Sequence, residues 1–115
     1  MPSHTAPWQD RFELKTCTAE KLTAIPAKAL GVAVIYEKTE DGERTFLVLE
    51  SRSRSLRDIC AKRLATAKIP PGTPLTVAFK TLKLADTTAE AVSAACREQF
   101  ILAGALRREL RPAMR

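Results

Sequence analysis

Histidine is nearly absent from this 115-residue chain, and the single one, His4, falls among the first few residues. That removes Ser-His and Cys-His dyads and the usual zinc sites. Cysteine is scarce too. Cys17, Cys60 and Cys96 are odd in number and widely spaced, which leaves neither a disulfide framework nor a Cys-x-x-Cys metal half-site and points to buried, reduced thiols. The four glycines form no Gly-x-Gly-x-x-Gly and no Gly-Lys-Ser/Thr loop, so nucleotide cofactors of those types are not expected. Aromatic residues are only 5% of the chain and do not interleave with the cations, so Trp8 reads as a satellite core residue and not as a base-stacking platform. Strictly apolar runs reach about five residues, against the ~20 needed to span a bilayer. Met1-Pro2-Ser3-His4 lacks the apolar stretch of a secretory signal, so the expected location is the cytoplasm.

What remains is a 45% hydrophobic chain of a length suited to one core. Its expected organisation is a polar, flexible tail over 1–10, a compact α/β domain over 11–110 and a basic tail over 111–115. Cys17 to Leu22 can form a short helix capped by Thr18 and ending before Ile25-Pro26, because the residue before a proline avoids the helical region. Gly31–Glu37 and Thr45–Glu50 read as strands bridged by Glu40-Asp41-Gly42-Glu43, and Asp-Gly between apolar runs signals a hairpin. Neither run alternates cleanly, which implies helices on both faces of the sheet. A helix is predicted from Ser53 or Ser55 to about Lys68, with Leu56, Ile59, Cys60, Leu64 and Ala67 on one stripe. Arg63 falls in the middle of that stripe, where it either snorkels or is held for a purpose. A third strand spans Leu75 to about Leu84. Asp86 or Thr87 then caps a long helix whose shared face is Val92, Ala95, Cys96, Gln99, Phe100, Ala103 and Leu106. The expected fold is therefore a three-stranded, largely antiparallel sheet flanked by helices.

Charge carries the functional reading. From Ser51 to Lys83 the chain has eight cations (Arg52, Arg54, Arg57, Lys62, Arg63, Lys68, Lys80, Lys83) against one acid, Asp58, leaving +7, while the whole chain carries +6. Such segregation is a footprint for a polyanion, and nucleic acid, DNA or RNA, is the commonest one. Arg52, Arg54, Arg57 and Lys62 suit phosphate because the guanidinium fork matches it and a helix N-terminus nearby adds amide donors. The alternatives are a solvated loop whose serines cap the helix, or a surface that docks an acidic protein partner or a larger nucleoprotein complex. Glu98, at the margin of the last helix's apolar face, could hold a hard ion such as Mg2+ together with phosphate oxygens and waters, or be a solvated acid among arginines.

Ile25-Pro26 ahead of Gly31-Val32-Ala33-Val34-Ile35, the helical Cys60-Ala61-Lys62-Arg63-Leu64 and Glu98 in the last helix follow the order hairpin, basic helix, third strand, carboxylate-bearing helix. Over residues 25–106 this resembles a degenerate member of the GIY-YIG nuclease family. The resemblance implies metal-dependent phosphodiester chemistry, with Arg57 or Arg63 as an electrostatic clamp and Glu98 as the metal ligand. The family's first tyrosine, however, falls on Ala33, and its Tyr-x-Gly falls around Leu47-Val48-Leu49. Tyr36, the only tyrosine, is three residues along and on the opposite face. The resemblance therefore implies chemistry that is impaired or lost, leaving binding as the expected activity.

Overall fold

The computed structural model describes residues 8, 12–39, 42–51, 55–67, 69, 72–82, 88–110 and 112. Its elements are β1 (Lys15–Thr18), a 3-10 helix (Ala19–Ala24), β2 (Leu30–Thr39), β3 (Gly42–Glu50), α1 (Leu56–Thr66), β4 (Thr76–Leu82) and α2 (Ala89–Leu110). All pairings are antiparallel and the order is β1-β4-β2-β3, so the sheet has four strands where three were expected. The missed strand is β1. The expected helix from Cys17 to Leu22 is instead the end of that strand followed by the 3-10 helix. Thr16, Cys17 and Thr18 favour a pleated surface, and β4 offers them an open edge at Ala78, Val77 and Thr76. Ile25 is extended before Pro26, as the proline requires.

The hairpin β2–β3 is longer than its apolar runs. Its ladder closes at Thr39 opposite Gly42, with Gly42 at φ 141°. A bulge beside Ile35/Tyr36 sets Leu47 against Ile35 and Thr45 against Tyr36. The extra residue, Phe46, joins Leu47 in the same core cluster, which two neighbouring residues of a regular strand could not both do.

Both faces of the sheet are covered, as the unbroken apolar strands implied. Ala33, Ile35, Leu47, Leu49, Val77 and Phe79 pack with Leu56 and Cys60 of α1 and with Ile25. The alternate residues Val32, Val34, Tyr36, Val48 and Ala78 pack with Ala103 and Leu106 of α2 and with Trp8. Trp8 is a core residue, edge-on to Tyr36 with ring centroids 5.2 Å apart.

Ser55 caps α1, its hydroxyl accepting from the Asp58 amide. The helix ends at Thr66, earlier than expected. There the Thr66 hydroxyl donates back to the Lys62 and Arg63 carbonyls and Ala67 turns extended. Arg63 is half-buried, as is Leu64. By angle Arg63 is central in the stripe, but along the helix it lies beyond the deepest residues, Leu56 and Cys60. Thr88 caps α2 through the Ala91 amide, and the expected caps Asp86 and Thr87 lie outside the described residues.

The buried face of α2 corrects the expected one. Ala95, Gln99, Ala103 and Leu106 are buried and Leu102 and Leu110 pack beside them, whereas Cys96 is exposed and Phe100 is 64% exposed. The helix is rolled a few tens of degrees so that the ridge Leu102, Leu106, Leu110 meets the sheet. Among the described residues no helix is long and apolar enough to cross a membrane.

Candidate nucleic-acid interface

The basic segment leaves the sheet at a clasp. Beyond the last β3 residue, the Ser51 amide donates to the Gly31 carbonyl at 3.0 Å, continuing the ladder. The return bond is made by a side chain: the Gly31 amide donates to Ser51 Oγ at 2.9 Å. The Ser51 carbonyl is thereby left for Gln99 of α2, whose Nε2 donates to it, while Ser51 Oγ donates to Gln99 Oε1 at 3.0 Å. Ser51 and Gln99 are both buried, and among the described residues no buried side-chain polar atom lacks a partner. A polar pair in a core is stable only when it is satisfied in this way. The chain therefore enters residues 52–54 from a pinned position and resumes at Ser55, pinned as the α1 cap.

Gly31 is required here by close approach. A Cβ at this position would fall 2.1 Å from the Lys80 carbonyl oxygen.

Among the described residues, the expected cations are not gathered on one surface. Arg52, Arg54 and Lys83 lie outside the described residues. Arg57, on the first turn of α1, is half-buried; its Nε donates to the Ile25 carbonyl at 2.7 Å and an Nη donates to the Thr23 carbonyl at 3.1 Å. It ties α1 to the end of the 3-10 helix. Lys62 is exposed on α1 and Arg63 half-buried. Lys80 lies by strand alternation on the α2 side of the sheet and pairs with Glu13 at 3.6 Å.

Arg57 and Arg63 on α1 and Glu98 on α2 belong to helices packed on opposite faces of the sheet. Glu98 is exposed. Among the described residues no three His, Cys, Asp or Glu side chains cluster as metal ligands. Ala33, at the expected tyrosine position, is buried against the α1 side, and Tyr36 is buried on the α2 side.

Two features went unseen in the sequence. Glu50, whose side chain is only 7% exposed, pairs with Arg107 at 3.6 Å, and Arg107 also donates to the Val48 carbonyl on the β3 edge. Beside this pair a cleft of about 440 Å³ is lined by Glu50, Ser51, Cys96, Gln99 and Phe100. The only advance signal was that Phe100 and Cys96, at i and i+4 from one another, lie on one flank of α2, and assigning that flank to the core concealed it. Compared with protein families, curated proteins and solved structures, the chain matches none at a significant level.

Proposed function

We propose that this protein is a small nucleic-acid-binding domain that grips the phosphate backbone through the arginine-rich segment between β3 and α1 and through the outer face of α1. The observation that carries the reading is the excess of eight cations over one acid between Ser51 and Lys83, densest where the chain runs from the Ser51 clasp to the Ser55 cap. Arg52, Arg54 and Lys62 are the phosphate ligands, aided by the amides of the α1 N-terminus. Arg63 and Lys83 contribute to the long-range field. Lys80, paired with Glu13, contributes less to it.

In this reading the domain is similar to the GIY-YIG fold, with β2–β3, α1, β4 and α2 in that family's order, and is degenerate in its chemistry. Glu98 with Mg2+ belongs to the reading only if cleavage is found. A second reading is docking on an acidic protein or a larger complex through the same basic surface.

Fluorescence anisotropy separates the two. Phosphate binding weakens with salt through counterion release, with log K falling by about 0.7–0.9 per neutralised phosphate for each unit of log salt, whereas a packed protein interface responds weakly. Replacing Arg52, Arg54 and Lys62 together with Glu is expected to abolish oligonucleotide binding while leaving the melting temperature unchanged. Retained affinity in that variant removes this surface from the reading.

A further inference from the structure

We infer that the outward face of α2 is an interface for a second copy of this chain, the two helices packing antiparallel about a two-fold axis. It does not rest on phosphate binding, since α1 packs on the other side of the sheet. Among the described residues the large apolar side chains left in water are Phe100 and Ile101, 64% and 66% exposed, and they are neighbours on this one helix. Adjoining apolar side chains mark an interaction surface, whereas scattered ones do not. Gly104 lies one turn beyond Phe100. A glycine inside a helix costs stability, so its presence calls for a cause. Among the described residues, the nearest atom that a Cβ there would meet beyond its own turn's backbone is an Nη of Arg108, at an ordinary 3.8 Å. Unlike Gly31, Gly104 is therefore not required by packing within the protomer, and the close approach of another backbone supplies the cause.

The charges identify the occupant as a second copy. Glu90, Ala94, Arg97, Ile101, Gly104 and Arg108 form the outward seam, all exposed except the half-buried Gly104, at alternating spacings of four and three residues as in a coiled coil. Those spacings read the same from either end. An antiparallel copy therefore sets Glu90 against Arg108, Ala94 against Gly104 and Arg97 against Ile101, each twice by symmetry. The acid near one end meets the cation near the other, the small residues let the backbones close, and the Arg97 stem covers Ile101 with its head in water. Phe100 flanks the seam one residue from its midpoint, so the two rings come together beside the axis. Glu98 lies on the opposite flank and stays in solvent. A parallel pair would instead set Glu90 on Glu90 and Arg108 on Arg108, and like charges exclude that arrangement.

Sedimentation velocity over a dilution series tests the interface. The +6 charge of the chain opposes self-association, so the wild-type dimer is expected to be reversible and to form at high protein concentration. Ile101→Lys, which faces Arg97 with a second cation, is expected to stay monomeric, with the thermal melting of the dilute protein unchanged. Gly104→Ala is expected to weaken the dimer roughly tenfold or more, yet to raise the melting temperature of the dilute protein, a combination that a glycine needed by the protomer cannot give. Glu90→Arg and Arg108→Glu are each expected to be monomeric alone, and an equimolar mixture of the two to dimerise, because only the mixed pair regains both Glu–Arg contacts. A wild-type protein that is monomeric throughout overturns the inference and leaves this face to a different partner. Self-association that survives Ile101→Lys, or a mixture that stays monomeric while the wild type dimerises, overturns the antiparallel pairing.

Discussion

An arginine that donates through Nε and Nη to two main-chain carbonyls is fastening α1 to the 3-10 helix, and Arg57 does this at Ile25 and Thr23. Its charge is the same as that of Arg52 and Arg54, but substituting it tests stability before it tests binding. Arg57→Met is expected to destabilise the protein by about 2 kcal/mol in urea denaturation, because two charge-assisted bonds are lost and two carbonyls are left to find water. An unchanged midpoint would return Arg57 to the pool of ligand-binding cations. The cysteines differ from one another in a similar way. Burial, with a smaller push from Cys17, moves the Cys60 thiol from an ordinary 9.0 up to about 12, and burial raises Cys17 as well. The folded state therefore holds the Cys60 proton more tightly than the unfolded chain does. The stability this adds is fully present below about pH 9 and is lost as pH rises toward 12, by up to about 1.4 kcal/mol per pH unit within that window. The slope should flatten in Cys60→Val relative to the parent protein, and equal slopes would assign the alkaline loss to other groups.

At the scale of elements, the order from β2 to α2 and the covering of both sheet faces were legible because apolar runs and helical stripes report burial directly. The phase of α2 was not. Phe100 and Leu102 are both large and apolar, and hydropathy alone does not choose between the two flanks of the helix; the choice is made by a sheet surface assembled from residues as far back as Val32. β1 was illegible for a related reason, since four residues, three of them exposed and Cys17 half-buried, become a strand only through the edge of β4. Gly31 could be noticed as a glycine in a strand, but the cause, a carbonyl from β4 where its Cβ would be, comes from pairing across about fifty residues. Gly31→Ala is expected to cost at least about 2 kcal/mol, since a backbone atom and not a yielding side chain must give way. A variant that melts with the parent would mean that β2 and β4 separate easily there.

For the whole molecule, the sheet partitions charge and chemistry. α1 with Arg57 and Arg63 packs on one face and α2 with Glu98 on the other, and Arg57 is already engaged with main-chain carbonyls. Phosphodiester cleavage needs a nucleophile activator, a clamp and an ion acting on one phosphate. No Mg2+- or Mn2+-dependent cleavage of generic DNA above background is expected. Metal-dependent cleavage that disappears in Glu98→Ala while binding persists would reverse that expectation. The candidate site was only partly legible at this scale. The charge excess could be counted from the chain, but the placement of the described cations on two faces of the sheet, and the exposure of Phe100, depend on how the helices roll against the sheet.

Hydrogen exchange offers a different view of the Ser51 clasp. Strand ends fray, and amides at the mouth of a hairpin ordinarily exchange on the timescale of local opening. Here the Gly31 and Ser51 amides are bonded across the strand pair, and the serine is held in turn by Gln99 from a separate element. Opening this end requires α2 to lift, so both amides should exchange close to the rate of global unfolding although they lie at the margin of the sheet. Ser51 is thereby expected to be one of the slowest-opening points of the fold, and ligand-induced changes in protection are expected to stop there and not spread into β3.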